Sequence, residues 1–65
     1  MKIQVNGKEM AVDEGATIAS LLEGLKLSDK RVAVEHNMVI LARDGYGTPL
    51  NEGDVIEIIS FVGGG

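Results

Sequence analysis

Residues 2–25 read KIQVNGKEMAVDEGATIASLLEGL, and two different periodicities follow one another inside them. From Lys2 to Val5 polar and apolar side chains alternate, Asn6-Gly7 is the pair best suited to a two-residue hairpin turn, and alternation resumes over Lys8 to Val12 with Met10 and Val12 on one face. That pattern predicts an N-terminal β-hairpin. Asp13-Glu14-Gly15 then breaks the chain, Thr17 stands where a helix N-cap belongs, and Ile18, Leu21, Leu22 and Leu25 recur at helical spacing. A helix therefore packs on the hairpin. Gly24 within it costs about 1 kcal/mol relative to Ala, so it either admits a close strand or marks an early end.

Beyond the helix, Arg31 to Glu35 alternates with Val32 and Val34 inward, His36-Asn37 reads as a tight turn, and Met38 to Leu41 as a short apolar strand. Residues 44–53 hold most of the turn chemistry and predict a surface loop from which Leu50 reaches back to the core. Asp54 to Phe61 is β-branched, with Ile56 and Ile58 on one face and Val55, Ile59 and Phe61 on the other. The order strand, strand, helix, strand, strand, loop, strand predicts an α+β protein of the β-grasp arrangement, a mixed sheet of about five strands with one helix across one face. The domain spans residues 1–61 and a flexible glycine tail spans 62–65.

Composition narrows the function. Sixty-five residues allow one small domain, and 45% hydrophobic residues with one Phe and one Tyr make its core aliphatic and argue against disorder. With no Cys there is no disulfide, thiolate metal site or thiol catalysis, and the single His36 cannot hold a metal alone. A net charge of -4 is the wrong sign for neutralising nucleic acid phosphates. The interrupted N-terminal pattern supplies neither a signal-peptide core nor a membrane span. The expected compartment is the cytoplasm, with no nucleic acid or membrane partner.

The chain closes on Phe61-Val62-Gly63-Gly64-Gly65, the glycines following directly on the last strand. Four extended residues, 62–65, reach about 13 Å, enough to enter a narrow active site while the domain stays outside. The reactive group of such a tail is the α-carboxylate of Gly65, a poor electrophile until a partner converts one of its oxygens into a leaving group. Adenylation by ATP followed by sulfur attack would leave a thiocarboxylate. Terminal glycine runs also occur as inert ends, so the run alone does not decide the matter.

Taken together, the opening Met1 to Val5, the helix start Thr17-Ile18-Ala19-Ser20-Leu21-Leu22, the strand Val32-Ala33-Val34-Glu35-His36-Asn37, the stretch Leu50 to Ile58 and the Gly64-Gly65 end resemble the small sulfur carrier proteins of thiamin biosynthesis, of the ubiquitin-like β-grasp group. The resemblance covers all 65 residues. It implies a protein cosubstrate and not an enzyme: Gly65 is adenylated by an adenylyltransferase of the ubiquitin-activating type that consumes ATP, receives sulfur mobilised by a cysteine desulfurase, and carries it as a thiocarboxylate to thiazole synthase. No bound cofactor is implied. Gly63 departs mildly from the family, where another small residue is usual. The alternatives are the small subunit of molybdopterin synthase, another sulfur carrier or ubiquitin-like modifier, and a plain β-grasp interaction module.

A one-helix sheet covers one face only, so Ile59 and Phe61, with Val62 and with Met38 and Ile40 nearby, are read as a partner-binding patch beside the tail, against the alternative of ordinary sheet packing. Other candidates read as structural. His36 is expected as a solvated turn residue, and Asp44, Glu52 and Asp54 as turn formers and solvated charge without calcium-loop spacing. Gly45-Tyr46-Gly47 reads as a mobile turn, too short for a phosphate loop.

Overall fold

Asn6 and Gly7 both adopt positive φ, 51° and 82°, as a two-residue turn matched to strand twist requires. They join β1 (Lys2–Val5) to β2 (Lys8–Ala11) in the computed structural model, which describes residues 1–61. Asn6 has a second role: its side chain accepts from the Ile58 N–H at 2.7 Å and donates to the Ile58 carbonyl at 3.1 Å, extending the sheet one step past the end of β1. The helix α1 (Ile18–Gly24) starts where the sequence places it. Thr17 caps it reciprocally with Ser20, the Ser20 N–H reaching Thr17 Oγ1 at 3.1 Å and the Thr17 N–H reaching Ser20 Oγ at 2.8 Å.

The ambiguity at Gly24 resolves in favour of an end. A Cβ there would meet nothing within 4 Å, so no strand approaches it. The helix closes by a Schellman arrangement in which the Lys26 N–H reaches the Glu23 carbonyl, the Leu27 N–H reaches the Leu22 carbonyl, and Lys26 takes the left-handed position at φ 62°.

Strands β3 (Val32–His36), β4 (Val39–Leu41) and β5 (Val55–Ser60) complete a five-stranded sheet in the order β2-β1-β5-β3-β4. β1 and β5 are parallel and the other neighbours antiparallel. Central β5 buries Ile56 and Ile58 against Ile3, Val34, Leu50 and the helix residues Ile18, Leu21 and Leu22, the aliphatic core expected from composition.

Three expectations need correction. The second turn lies one residue later than predicted: His36 ends β3, paired with Val39 and Ile56, and the turn is Asn37-Met38 at φ 51° and 72°. Met38 sits where glycine belongs, and its strand-like side chain disguises the turn. Residues 44–53 form the expected loop with Leu50 buried, but Gly45-Tyr46-Gly47, expected as a mobile turn, belongs to a stretch pinned to the helix. After a 3-10 turn over Arg43–Gly45, the Tyr46 and Thr48 carbonyls accept the Ala19 and Ile18 N–H groups, and the Leu50 N–H reaches the Ala16 carbonyl. The loop thus satisfies helix amides that would otherwise lack partners. Asp54, expected in solvent, is buried.

Met38→Gly is expected to stabilise the domain by about 0.5–1 kcal/mol. Relief of left-handed strain gives about 1–2 kcal/mol, against about 0.4–1 kcal/mol for the freer unfolded chain. The Met38 side chain is 88% exposed, so little packing is lost. A higher urea midpoint at unchanged slope checks this.

Candidate functional site

Because α1 packs on one face of the sheet, the odd-numbered residues of β5 have no layer above them. Ile59 and Phe61 are 55% and 56% exposed, Val55 is exposed on the same strand, and Ile40 on β4 is 74% exposed. Register places Ala33 beside Ile59 in one row, and Ile40 beside Glu35 and Glu57 in the next, so apolar and acidic side chains adjoin on this open face. Single exposed apolar residues are ordinary, but here Ile59 and Phe61 lie two apart on one face beside the last strand's exit. Ile59 and Phe61, read from the sequence as partner-binding residues, are thus exposed and close to the tail. Met38, at the hairpin tip, is exposed as well.

The chain leaves the sheet at a fixed point. The Phe61 N–H donates to the Arg31 carbonyl at 2.9 Å, extending the β3–β5 ladder one residue past β5. The other sequence-assigned site residues, Val62, Gly63, Gly64 and Gly65, lie outside the described residues.

At the opposite end of β5 lies a cluster that the sequence reading missed. The Asp54 carboxylate accepts from the Asn51 N–H at 2.9 Å and from Asn37 Nδ2 at 3.1 Å, and lies 2.8 Å from His36 Nε2. Asn37 Oδ1 in turn accepts the Val55 N–H at 2.9 Å. Burial pushes the Asp54 pKa up, but the hydrogen bonds from His36, Asn37 and the Asn51 backbone outweigh it, and the carboxyl is held below its ordinary range. The cluster fastens the β3–β4 turn and the 46–53 loop to the start of β5. Strand parity was the available signal: with Val32 and Val34 inward, His36 must also point inward.

Among the described residues no group of three or more His, Asp or Glu side chains is placed to hold a metal ion. A groove of about 450 Å³ between β2, the 13–16 turn and α1 is lined by Met10, Val12, Glu14, Ser20 and Leu21. It lies on the helix side, away from the open face. No helix among the described residues is long and apolar enough to cross a membrane.

A mixed five-stranded sheet clasping one helix, with an apolar open face beside the exit of the last strand, defines a ubiquitin-like β-grasp protein. Within that class the chain belongs to the ThiS family, whose model matches residues 3–65. The sulfur carrier protein ThiS of Bacillus subtilis is 42% identical over 65 residues, covering 97% of this chain and 98% of that one. A crystal structure of the thiamine biosynthesis protein ThiS from Geobacter metallireducens superposes with a TM-score of 0.82 at 38% identity, covering all of both chains. The thiazole synthases of Magnetococcus marinus and Paramagnetospirillum magneticum are 42% and 38% identical over 66 residues, and this chain spans only 20% of their length. The family resemblance and the β-grasp fold read from the sequence both hold.

Proposed function

We propose that this chain is a sulfur carrier protein of thiamin biosynthesis, acted on by enzymes and not itself one. A Gly65 carboxylate oxygen attacks the α-phosphorus of ATP on an adenylyltransferase of the ubiquitin-activating type, and pyrophosphate leaves. The outer sulfur of a persulfide formed by a cysteine desulfurase then attacks the carbonyl carbon and AMP leaves; a partner thiol attacks the resulting acyl disulfide at its partner-side sulfur, forming a partner disulfide and releasing the tail as a thiocarboxylate, because this chain has no Cys of its own. Thiazole synthase is the sulfur acceptor. These steps are assigned to the cytoplasm.

The observation that carries the reading is the anchored exit at Phe61 beside an uncovered face that exposes Ile59, in a chain of which the Bacillus carrier matches 97%. Residues 62–65 continue from that exit and reach about 13 Å when extended, so the tail enters an active site while Ile59 and Phe61 are gripped outside it. Two thiazole synthases contain a segment similar to this whole chain, which supports thiazole synthase as the partner.

Intact mass tests the proposal. Incubated with the adenylyltransferase of the same genome, ATP and a sulfur source, the protein is expected to gain the mass difference between sulfur and oxygen, and deletion of Gly65 to abolish that gain. An unchanged mass overturns the carrier reading. Products amide-linked to lysine would make the chain a modifier, and transfer to molybdopterin instead of thiazole would change the destination.

A further inference from the structure

The open face carries a charge arrangement that the apolar patch alone does not explain. β3 and β5 place Glu35 directly opposite Glu57, and β4 places Ile40 beside Glu35, so one row across the face runs Glu57, Glu35, Ile40. The next row toward the tail is Ile59 and Ala33. Like charges directly opposite on antiparallel strands oppose pairing, and the usual remedy is a cation on the same face. The strands supply none for this pair. Lys2, on β1 of that face, lies 4.0 Å from Glu9 on β2, and Arg31, at the tail end, forms no ion pair among the described residues. Neither Glu35 nor Glu57 has an ion-pair or side-chain hydrogen-bond partner among those residues.

Resting on the carrier reading, we infer that the Glu35–Glu57 pair is the electrostatic key of the docking face, completed by an arginine that the adenylyltransferase presents within an apolar surface. A guanidinium is planar, permanently charged and able to donate to two carboxylates at once. Ile59, Ala33 and Ile40 flank the pair, so a partner seated on them excludes water and strengthens the contact. One row, Ile59 and Ala33, separates the Glu pair from Phe61, so engaging the pair fixes the angle at which the tail is delivered.

The test is calorimetric binding of the wild type and the Glu35→Gln/Glu57→Gln double variant to the adenylyltransferase of the same genome, at low and at physiological salt. The double variant is expected to bind about tenfold more weakly or worse, with a shallower salt dependence, while its thermal midpoint rises because the repulsion is gone. A residue pair needed only for folding would move that midpoint downward. Equal affinity, a lowered midpoint or absent wild-type binding overturns the inference. Loss of wild-type self-association on mutation assigns the pair to a dimer, and a calcium-dependent rise in midpoint lost in the variant assigns it to a cation site; either also overturns it. Wild type that binds but gains no sulfur removes the carrier reading instead, whereas sulfur gain with unaltered variant affinity removes only this inference.

Discussion

Asp54→Ala is expected to lower the thermal midpoint by roughly 10–20 °C, corresponding to about 2–3 kcal/mol in a domain this small. The residue is 7% exposed, and its carboxylate is shared by the Asn51 N–H, the Asn37 amide and the His36 ring. Removing it leaves those groups unpaired at a site that water enters poorly. Total stability at this length is on the order of 3–10 kcal/mol, so the loss is a large fraction of it. The pH dependence has a definite sign. Because the folded-state pKa lies below the ordinary 3.8, the stabilisation is fully present above that value and is lost as pH falls through the lower folded value. Thermal melts of wild type and Asp54→Ala should therefore differ at neutral and mildly acid pH and converge in strong acid. A gap that persists undiminished in strong acid would contradict the assignment of the carboxylate as the working form.

The Asp54 cluster also shows why part of the structure was hidden in the sequence. The first hairpin, the helix and the two faces of β5 are written in neighbouring residues: alternation, an Asn-Gly turn, and apolar side chains three and four apart. Such signals survive without knowledge of the rest of the fold. The His36–Asp54 contact joins residues eighteen apart, and the Glu35–Glu57 row exists only once β3 and β5 settle in register. Met38 misled for a different reason. Its side chain suits a strand, while the backbone beneath it is left-handed, a conformation imposed by the hairpin and not by local preference. The pinned loop belongs to the same class, since nothing in Tyr46 or Thr48 announces that their carbonyls will receive helix amides. The apolar patch was legible because one helix cannot cover two faces, a constraint on the whole fold that composition and element count already carry.

Ile56→Ala and Ile59→Ala, three positions apart on one strand, are expected to have opposite consequences. Ile56 is fully buried on the central strand, between β1 and β3, under the helix. Its truncation costs about 2–5 kcal/mol from lost transfer energy and the cavity left behind, about half of the domain's total stability. The variant should show a urea midpoint lowered by roughly half, with Ile56→Val, at about 0.5–1.5 kcal/mol, marking an intermediate step. Ile59 is more than half exposed and has no layer above it, so Ile59→Ala should change stability by no more than about 0.5 kcal/mol. Its effect should appear in partner affinity, where an apolar anchor beside the tail exit costs about 1–2 kcal/mol when truncated. If Ile59→Ala proved as destabilising as Ile56→Ala, the outer face of β5 would be packed in the free protein, and the docking surface would have to be sought elsewhere. If it left both stability and affinity untouched, the grip on the carrier would rest on the Glu35–Glu57 row and Phe61 instead, which the same binding assay with Phe61→Ala resolves.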